Sequence, residues 1–491
     1  MSSDSDDGAR LSSPTSKRAR TDGRPVRATS GSATFAALSR ACPLEHADAR
    51  NTECARQLRE AEKYEIAAQG DDYADSDLKT TNTEALAYAK AAATVLSMDV
   101  RLSEWTENLA GLKRALRREP FLGDFRTAQI CEFVSTGSFE ALRSFERNEP
   151  PIGSDGQRRI VNSARRSMHG GAAKREMGSV LGIGWRTAYQ LYEGEHPNLP
   201  KVRSLAELKA LRDSVPPSWR FGLDHHDELR NPVPAEEANA IRNAVLEIVD
   251  AQQGVEGGAW QASWVGGARR RMRPGHDVDL LVWHPTKAGS WGAATDECVL
   301  GQLLGELERR GLLRTRAEAW QMRSLNHRHR VAIESADGGT VRGHRRDHTL
   351  RMGVTTHGFE NLSHDKTDRC FGVWRSPTTG EHHRVDLVVC GLAEELPFSM
   401  LAWTGSRLLN RLLRQRAIDL DLALTPHALH ARQDMTVVID ARPGEERREI
   451  QLRALQEVPF ELMRNEEDVL RVLAGGTDEF SALFPPTARN F

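Results

Sequence analysis

The sequence predicts an α+β protein of several domains, with helical units at the N-terminal side and a mixed β-sheet in the C-terminal half. The chain has 491 residues, which is enough for about two to four domains of ordinary size. Residues 82–147 carry apolar side chains at spacings of three and four, a pattern typical of helices. After residue 260, short apolar runs typical of strands alternate with helical patterns. A helical region followed by a strand-rich region favours the α+β class.

Composition limits the classes of function that the chain could have. The net charge is −2, yet seven arginines and only three acidic residues lie between Arg323 and Arg351, which suits a phosphate-rich partner. No stretch reaches the roughly 18 apolar residues of a membrane span, and the first residues do not resemble a secretion signal. We therefore expect neither membrane insertion nor secretion. The six cysteines form no CxxC pair, which favours a reducing compartment.

The first 75 residues are rich in Ser, Asp, Ala and Arg and contain few large apolar side chains. Such a segment buries too little apolar surface to offset the entropy of folding, so residues 1–75 are expected to form a disordered arm. The basic cluster from Ser16 to Arg20, followed by Arg24 and Arg27, is typical of a nuclear import signal. A nuclear location is therefore expected, with a charged tail as the alternative interpretation.

Two glycine-containing turns separate helical patterns. The first contains Gly123 and lies in a helical unit assigned to residues 76–148; the second contains Gly182 and Gly184, in a unit assigned to 176–250. Residues 149–175 mix Pro, Gly, Ser and Arg and are interpreted as a linker or basic insertion. In a helix-hairpin-helix, such glycines let backbone N–H groups face a DNA phosphate, often with a monovalent cation nearby. Two such turns favour DNA binding, although glycine also simply ends helices.

The remaining chain alternates between strand and helix patterns. Strands are predicted at residues 260–265, 278–283, 331–334, 371–374 and 384–390. Helices are predicted at residues 299–310, 406–418 and 466–474. Between these elements, residues 321–370 show weak periodicity and many His and Arg, and so long a loop inside a globular region is usually functional or disordered. Six histidines in this loop have irregular spacing and no cysteine pair, so we expect a DNA-facing loop and no zinc site.

Three aspartates carry the strongest chemical signal. Asp277 and Asp279 begin an apolar strand, and alternate side chains of a strand point to the same face. Asp386 lies in a second strand that is otherwise Val and Leu, where an unpaired carboxylate would be costly to bury. Three convergent carboxylates suit Mg²⁺, and two such ions about 4 Å apart can stabilise the attacking and leaving oxygens of a phosphoryl displacement.

A glycine pair precedes these aspartates. Gly266 and Gly267 stand between a strand and a helix, where glycine permits a close approach of the backbone to a phosphate. Arg270 can neutralise a triphosphate and the charge that develops as it departs. The alternative is that the glycines form an ordinary turn and the aspartates are ordinary polar residues at a strand entry. The third carboxylate on a second apolar strand favours the catalytic interpretation.

These motifs resemble those of the family X DNA polymerases. GGARRRMRPGHDVDLL resembles the nucleotidyltransferase motif of the family, and RVDLVVC resembles the strand that carries its third metal-binding aspartate. The segment from Leu401 to Ala417, LAWTGSRLLNRLLRQRA, resembles the part that holds the incoming nucleotide. His276 before the first aspartate and Trp403 before the Thr-Gly-Ser turn are most similar to the group of terminal deoxynucleotidyltransferase and DNA polymerase mu.

The resemblance implies a role for each matching residue. Asp277 and Asp279 would bind two Mg²⁺ ions, with Mn²⁺ as a substitute, and Asp386 would bind the catalytic ion. The implied nucleotide-binding residues are Gly266, Gly267, Arg270, His276, Trp403, Gly405, Arg407 and Asn410. The implied DNA-binding residues are Gly123, Gly182, Gly184, Arg411 and Arg414.

The resemblance also implies an architecture. Residues 76–148 would form a small helical DNA-binding domain, residues 176–250 the fingers, residues 251–400 a catalytic palm with the long loop 321–370, and residues 401–491 a small α/β thumb. A lysine that beta-type members use to form a Schiff base with an abasic sugar is replaced here by Gln129, and an amide cannot form that imine.

The expected function is a mu-like DNA nucleotidyltransferase that adds dNTPs to a primer 3′-hydroxyl at gapped or broken DNA ends. A template-independent terminal transferase is the alternative within the class. A catalytically idle scaffold that bridges DNA ends is a third hypothesis, which the presence of all three carboxylates disfavours. The expected partners are DNA, dNTPs and end-joining factors, and the expected state is a monomer.

Overall fold

The fold is taken from a computed structural model of the chain. It describes residues 32–69, 82–147, 170–254, 257–271, 275–286, 299–314, 368–432, 435–439, 448–452 and 456–491, together with residues 149, 151 and 153. The basic cluster from Ser16 to Arg20, the predicted strand 331–334, and residues 321–367 of the long loop with their six histidines lie outside these ranges.

The N-terminal side is helical, as predicted. Its helices are α1 (Ala33–Leu38), α2 (Ala49–Gln69), α3 (Thr83–Ser97), α4 (Leu109–Leu116), α5 (Asp124–Thr136) and α6 (Glu140–Glu146). Helix α5 begins after Gly123 and ends at Gly137, whose φ of +83° is the left-handed conformation that favours glycine. The predicted pair of helices around the first glycine turn is therefore present.

The expectation of a disordered arm over residues 1–75 is wrong for residues 32–69. Helix α2 places Cys54, Leu58, Ala61 and Tyr64 on one buried face at spacings of three and four. Composition alone did not reveal this stripe, because two of these four residues, Cys54 and Ala61, are small. The N-terminal helical domain therefore includes α1 and α2.

A second helical unit follows. It contains α7 (Gly171–Gly178), α8 (Trp185–Glu193), α9 (Leu205–Ala210) and α10 (Pro217–Asp224). Gly182, in the turn between α7 and α8, has φ +89°, so glycine is required there. Helix α7 begins inside the segment 149–175 that was interpreted as a linker, because Lys174 and Met177 are buried on one face of it.

A four-stranded mixed sheet lies at the centre of the C-terminal half. Its strands are β1 (Gln261–Trp264), β2 (Asp277–Trp283), β3 (Asp368–Arg375) and β4 (His382–Val389), in the order β1-β2-β4-β3. The central pair β2 and β4 is parallel, and both outer pairs are antiparallel. This confirms the predicted mixed sheet and helix-rich fold. Strand β3 includes residues 368–370, which the sequence had assigned to the end of the long loop.

Each face of the sheet packs against helices. Helices α11 (Ala235–Gln253) and α13 (Val299–Arg309) cover one face, where Val278, Leu280 and Leu387 are buried. Helix α11 spans the predicted domain boundary between residues 250 and 251, which is therefore wrong: its apolar stripe belongs to the core of the sheet domain. The opposite face carries the aspartates, and α12 (Gly266–Arg271) and α14 (Leu396–Thr404) lie beside it.

The C-terminal domain is a small α/β unit. It contains α15 (Arg407–Asp419), α16 (Glu466–Leu473) and the strand pairs β5 (Leu422–Leu424) with β6 (Leu429–Ala431) and β7 (Met435–Ile439) with β8 (Arg448–Leu452). The predicted boundary at residues 400 and 401 falls inside α14 and is wrong, since a continuous helix links the two domains.

The two ends of the chain share one core. Phe35 of α1 packs on Phe480 with ring centroids 5.2 Å apart, and the backbone N–H of Cys42 donates to the carbonyl of Ala488 at 2.8 Å. The N-terminal helical domain and the C-terminal domain thereby belong to one continuous apolar cluster. Among the helices of the described ranges, none is both long and apolar enough to cross a membrane.

Candidate active site

Strand register brings the three predicted aspartates together. In the parallel pair of β2 and β4, Asp279 lies directly opposite Asp386, and Asp277 lies two residues earlier on the same face. One carboxylate oxygen from each of the three residues lies within 4.8 Å of the other two. The structure thus forms a cluster of three acids from residues more than a hundred positions apart in sequence.

The cluster is electrostatically strained without a cation. Burial, together with the neighbouring Asp277 carboxylate, raises the pKa of Asp279 to about 7, even though the Gly267 N–H and Arg270 act in the opposite direction. Burial and the charge of Asp279 also hold the pKa of Asp386 well above its ordinary value. The Arg384 guanidinium lies 3.9 Å from Asp277 and compensates only part of this charge. A site that disfavours its own negative charges favours a bound cation.

The donor set fits a hard divalent ion. All the candidate ligand atoms of the cluster are carboxylate oxygens, the kind of donor that Mg²⁺ and Mn²⁺ prefer. Among the residues that the structure describes, no sulfur or imidazole ligand joins them. Asp277, Asp279 and Asp386 could therefore hold metal, in agreement with the sequence expectation.

Gly266 shapes the cluster by having no side chain. Its φ is +57°, and a Cβ built on it would lie 1.8 Å from Oδ2 of Asp279. The next residue, Gly267, donates its backbone N–H to the same carboxylate. The glycine pair that begins α12 therefore fixes the position of Asp279, a role that the sequence analysis had not assigned to these glycines.

Gly266→Ala is expected to reduce any metal-dependent activity at this cluster by at least about a hundredfold. The new methyl group would displace the Asp279 carboxylate and strain a left-handed backbone. Steady-state turnover measures the loss. Gly267→Ala is the matched control, because a Cβ there meets nothing within 4 Å; it should retain folding and lose far less turnover. Equal turnover of the two variants would contradict this role of Gly266.

Arg270 links this turn to the C-terminal domain. Its Nη1 donates a hydrogen bond to the Thr404 carbonyl. Gly405 provides the space for this contact, since a Cβ at residue 405 would lie 3.1 Å from Nη1. Burial lowers the pKa of the guanidinium, and the adjacent Arg271 adds to this effect. Nε of Arg270 is buried and has no hydrogen-bond partner within the described ranges. A buried cation with an unused donor beside the carboxylates is suited to an anionic ligand.

The other predicted nucleotide residues lie around α14 and α15. Trp403 packs in the apolar cluster on the aspartate face of the sheet, and Asn410 donates to the carbonyl of Ala402 at 2.7 Å. Arg407 instead contacts Glu62 of α2 at 3.2 Å. His276 is exposed immediately before β2. Arg407 thus bridges two domains in this structure, which the sequence did not predict.

The predicted DNA-binding residues are distributed along the chain. Arg411 lines a cleft between α3 and α15 together with Arg59 of α2, and Arg414 is partly exposed on α15. Gly123, Gly182 and Gly184 lie in the turns of the two helical units, away from the aspartate cluster in sequence. None of these three glycines belongs to the cluster formed by Asp277, Asp279 and Asp386.

Sequence reasoning missed a buried ionic group next to the site. Arg269, adjacent to Arg270, forms two hydrogen bonds to Glu466 of α16 at 3.0 and 2.6 Å. Fully buried Arg489 donates to the same carboxylate at 2.5 Å. This group holds α12, and with it the glycine turn, against the C-terminal domain. The sequence of consecutive arginines from Arg269 to Arg271 does not indicate which of them forms this ion pair.

The free energy of unfolding of the metal-free protein should depend on pH, in a direction set by the pKa of Asp279. The unfolded carboxyl loses its proton near its ordinary pKa of 3.8, whereas the folded carboxyl keeps it up to about pH 7. The folded state therefore binds more protons between these values, and the free energy of unfolding falls as pH rises through this window. We expect urea unfolding in EDTA to show that the free energy of unfolding falls in this pH window. Asp279→Asn should show a smaller fall, and added Mg²⁺ should reverse the fall in the unchanged protein. An unchanged pH slope in the variant would contradict the assignment.

Three convergent carboxylates on a mixed sheet, beside a pair of glycines, form the arrangement that the sequence analysis expected of a nucleotidyltransferase. The chain is 27% identical over 251 residues to DNA-directed DNA/RNA polymerase mu of Homo sapiens, covering 48% of this chain and 41% of that protein. It is 30% identical over 260 residues to DNA nucleotidylexotransferase of Homo sapiens, covering 51% and 44%. It is 26% identical over 254 residues to DNA polymerase lambda of Rattus norvegicus, covering 52% and 34%.

All three relatives are family X DNA polymerases, so the resemblance read from the motifs is confirmed over about half of this chain. Each match covers less than half of the relative's length. No protein-family model matches the chain.

Proposed function

We propose that this protein is a DNA nucleotidyltransferase that extends a primer 3′-hydroxyl with dNTPs and releases pyrophosphate. The observation that carries this proposal is the convergence of Asp277, Asp279 and Asp386 within 4.8 Å on one sheet face. Homology to polymerase mu, DNA nucleotidylexotransferase and polymerase lambda supports the substrate class.

The residues divide the work of this reaction by position. Asp277 and Asp279 would hold both divalent ions, and Asp386 would bind the ion nearest the primer hydroxyl. Bound Mg²⁺ ions supply charge stabilisation for the attacking and leaving oxygens of an in-line displacement. Gly266 and the Gly267 N–H keep Asp279 in place for this purpose. Arg270 would offset the charge of the triphosphate through its unused Nε donor.

Side chains around α14 and α15 would position the substrates. Trp403, Gly405 and Asn410 would line the sugar and base of the nucleotide, with His276 near the triphosphate or primer end. Arg411 and Arg414 would face the nascent pair, template or primer. Arg407 would contact the nucleotide with the part of its guanidinium that does not bind Glu62.

The two helical units would hold the DNA. Backbone N–H groups at Gly123, Gly182 and Gly184 would face phosphates, and a monovalent cation would bind at the turns. The biological setting we propose is gap filling or end joining at broken DNA in the nucleus, by a monomer that acts with end-joining factors. The names of the relatives are consistent with DNA synthesis.

Primer extension with and without a template strand tests the proposal. A mu-like enzyme should extend a gapped or templated primer with the complementary dNTP much faster than an untemplated single strand. The relation to DNA nucleotidylexotransferase supports a second candidate, a terminal transferase, for which both substrates would be extended without regard to sequence. Absence of incorporation on either substrate with Mg²⁺ or Mn²⁺ would overturn the proposal.

We expect no 5′-deoxyribose phosphate lyase activity. Gln129 is buried on α5, accepts a hydrogen bond from Arg126 at 2.7 Å and donates to the Tyr88 hydroxyl at 3.3 Å, so the position holds a fixed amide and no amine. Schiff-base chemistry requires an unprotonated amine. Borohydride treatment with an incised abasic site should trap no covalent complex, and a trapped complex would contradict the expectation.

A further inference from the structure

A second cluster of metal-ligating side chains lies apart from the aspartates. His225 and Glu228 follow helix α10 in the second helical unit, and His382 begins strand β4 of the sheet domain. One ligand atom of each of the three residues lies within 4.8 Å of the others. His382 shares the sheet face of Asp386 but stands four residues earlier, about 13 Å away along the strand. The cluster is therefore distinct from the candidate active site.

The polar atoms of this cluster point at one another. Nδ1 of His225 lies 2.7 Å from Oε2 of Glu228. Nδ1 of His382 lies 3.3 and 3.4 Å from the two oxygens of the same carboxylate. The Glu228 carboxylate also accepts the backbone N–H of His382 at 2.5 Å. Two imidazoles and one carboxylate thus converge from two different domains.

The spacing of these atoms matches a tetrahedral metal site. Zinc bonds to imidazole nitrogen and carboxylate oxygen near 2.0 to 2.2 Å place neighbouring ligand atoms about 3.3 Å apart. The separations of His382 Nδ1 from Glu228 fall at this value, and they are long for a hydrogen bond between the two side chains. Among the contacts between these three side chains, only the one between His225 and Glu228, at 2.7 Å, has the length of an ordinary hydrogen bond.

Packing around the cluster favours the neutral form of His382, which is the form that binds metal. The ring of Phe221 lies 4.4 Å from His225 and 5.3 Å from His382, between ring centroids. Burial lowers the pKa of His382, and the His225 ring lowers it further, against the opposing effect of Glu228. Arg314 also lowers it. Neutral imidazoles and an ionised carboxylate are the ligand forms that zinc requires.

We infer that His225, Glu228 and His382 form a binding site for a divalent transition metal of the zinc class, with the fourth position open to water. Two nitrogen donors and one oxygen donor suit Zn²⁺ better than Mg²⁺, which prefers oxygen alone. The bound ion connects the turn after α10 to the strand that carries Asp386. Its main effect is to stabilise the contact between the second helical unit and the sheet domain. This inference does not depend on the proposed polymerase activity.

Metal titration of the whole chain in excess Mg²⁺ tests the inference, because Mg²⁺ occupies the oxygen-only site. Zn²⁺ binding is measured by calorimetry, and Co²⁺ is used as a spectroscopic probe, since tetrahedral Co²⁺ absorbs visible light. The unchanged protein should bind Zn²⁺ and raise its thermal unfolding midpoint. Glu228→Gln and His225→Ala should each weaken this binding by at least about tenfold and remove the Zn²⁺-dependent rise in the midpoint.

Two controls separate this site from others on the chain. Asp386→Asn removes a ligand of the aspartate cluster and should leave Zn²⁺ binding intact. His196→Ala removes a histidine that packs on Trp219 and is not part of the cluster, and it should also leave binding intact. Glu228→Gln is isosteric, and circular dichroism verifies its fold. If Glu228→Gln and His225→Ala bind Zn²⁺ as the unchanged protein does, or if Asp386→Asn abolishes the binding, the inference is wrong.

Discussion

Asp386→Asn is expected to lower nucleotide incorporation by at least about a thousandfold, a loss of roughly 4 kcal/mol of transition-state stabilisation. The same substitution should leave the metal-free protein as stable as the unchanged chain or more stable. Burial and the adjacent Asp279 both disfavour the charge on Asp386, so a neutral amide of the same shape relieves repulsion. Asp386→Asn should therefore lower the rate of incorporation without lowering the free energy of unfolding.

Single-turnover primer extension measures the first effect, and urea unfolding in EDTA measures the second. Arg384→Gln is a useful comparison, because it removes the guanidinium 3.9 Å from Asp277 and should destabilise the metal-free cluster. Should Asp386→Asn extend primers as the unchanged protein does, the hypothesis of a catalytically idle DNA-end scaffold would be favoured over an enzyme.

Glu466→Gln is expected to reduce the free energy of unfolding by about 3 to 5 kcal/mol, the cost of leaving buried charges without their partner. Glu466 accepts hydrogen bonds from both Arg269 and Arg489. Although burial alone would raise its pKa, these two arginines hold the pKa of Glu466 below its ordinary value. The glutamine would keep the volume and remove the charge that both guanidinium groups require.

Urea denaturation of the purified chain measures this change, and Glu467→Gln is its matched control. Glu467 lies in the same first turn of α16, but its side chain is 47% exposed and its ion pair with Arg471 spans 3.8 Å. The control should therefore change stability by less than about 0.5 kcal/mol. Similar losses in the two variants would show that the buried group contributes little. Glu466→Gln should also lower turnover, although by less than Asp386→Asn does. Arg269 anchors α12, the helix that begins with the glycine pair.

Local patterns sufficed for the elements that carry strong periodicity. Strand β2 was predicted from the apolar run after Asp277, and helix α13 from the leucines between Val299 and Arg309. Helix α2 was missed because alanine and cysteine form much of its buried face, and a stripe of small residues resembles the composition of a disordered segment. Domain boundaries were misplaced because a helix such as α11 or α14 can extend from one unit into the next without a change in composition.

The candidate site also contains features that the sequence predicted and features that it did not. Asp277 and Asp279 could be paired from their spacing, and Asp386 was identified because a lone acid in a run of Val and Leu is unusual. The steric role of Gly266 toward Asp279, by contrast, depends on a backbone angle and a distance. The grouping of His225, Glu228 and His382 joins residues from two domains, and their sequence spacing contains no metal-binding motif.

The sequence by itself determined the helical and strand segments with strong periodicity, the class of chemistry and the three acids that could perform it. These follow from side-chain type and from short-range spacing, because the backbone of a helix or strand places residues at fixed spacings on one face. Tertiary structure alone decided which arginines are buried against Glu466, how Gly266 positions Asp279, and which imidazoles meet one carboxylate. Such contacts join residues far apart in the chain, and only the packing of whole domains brings them within a few ångströms.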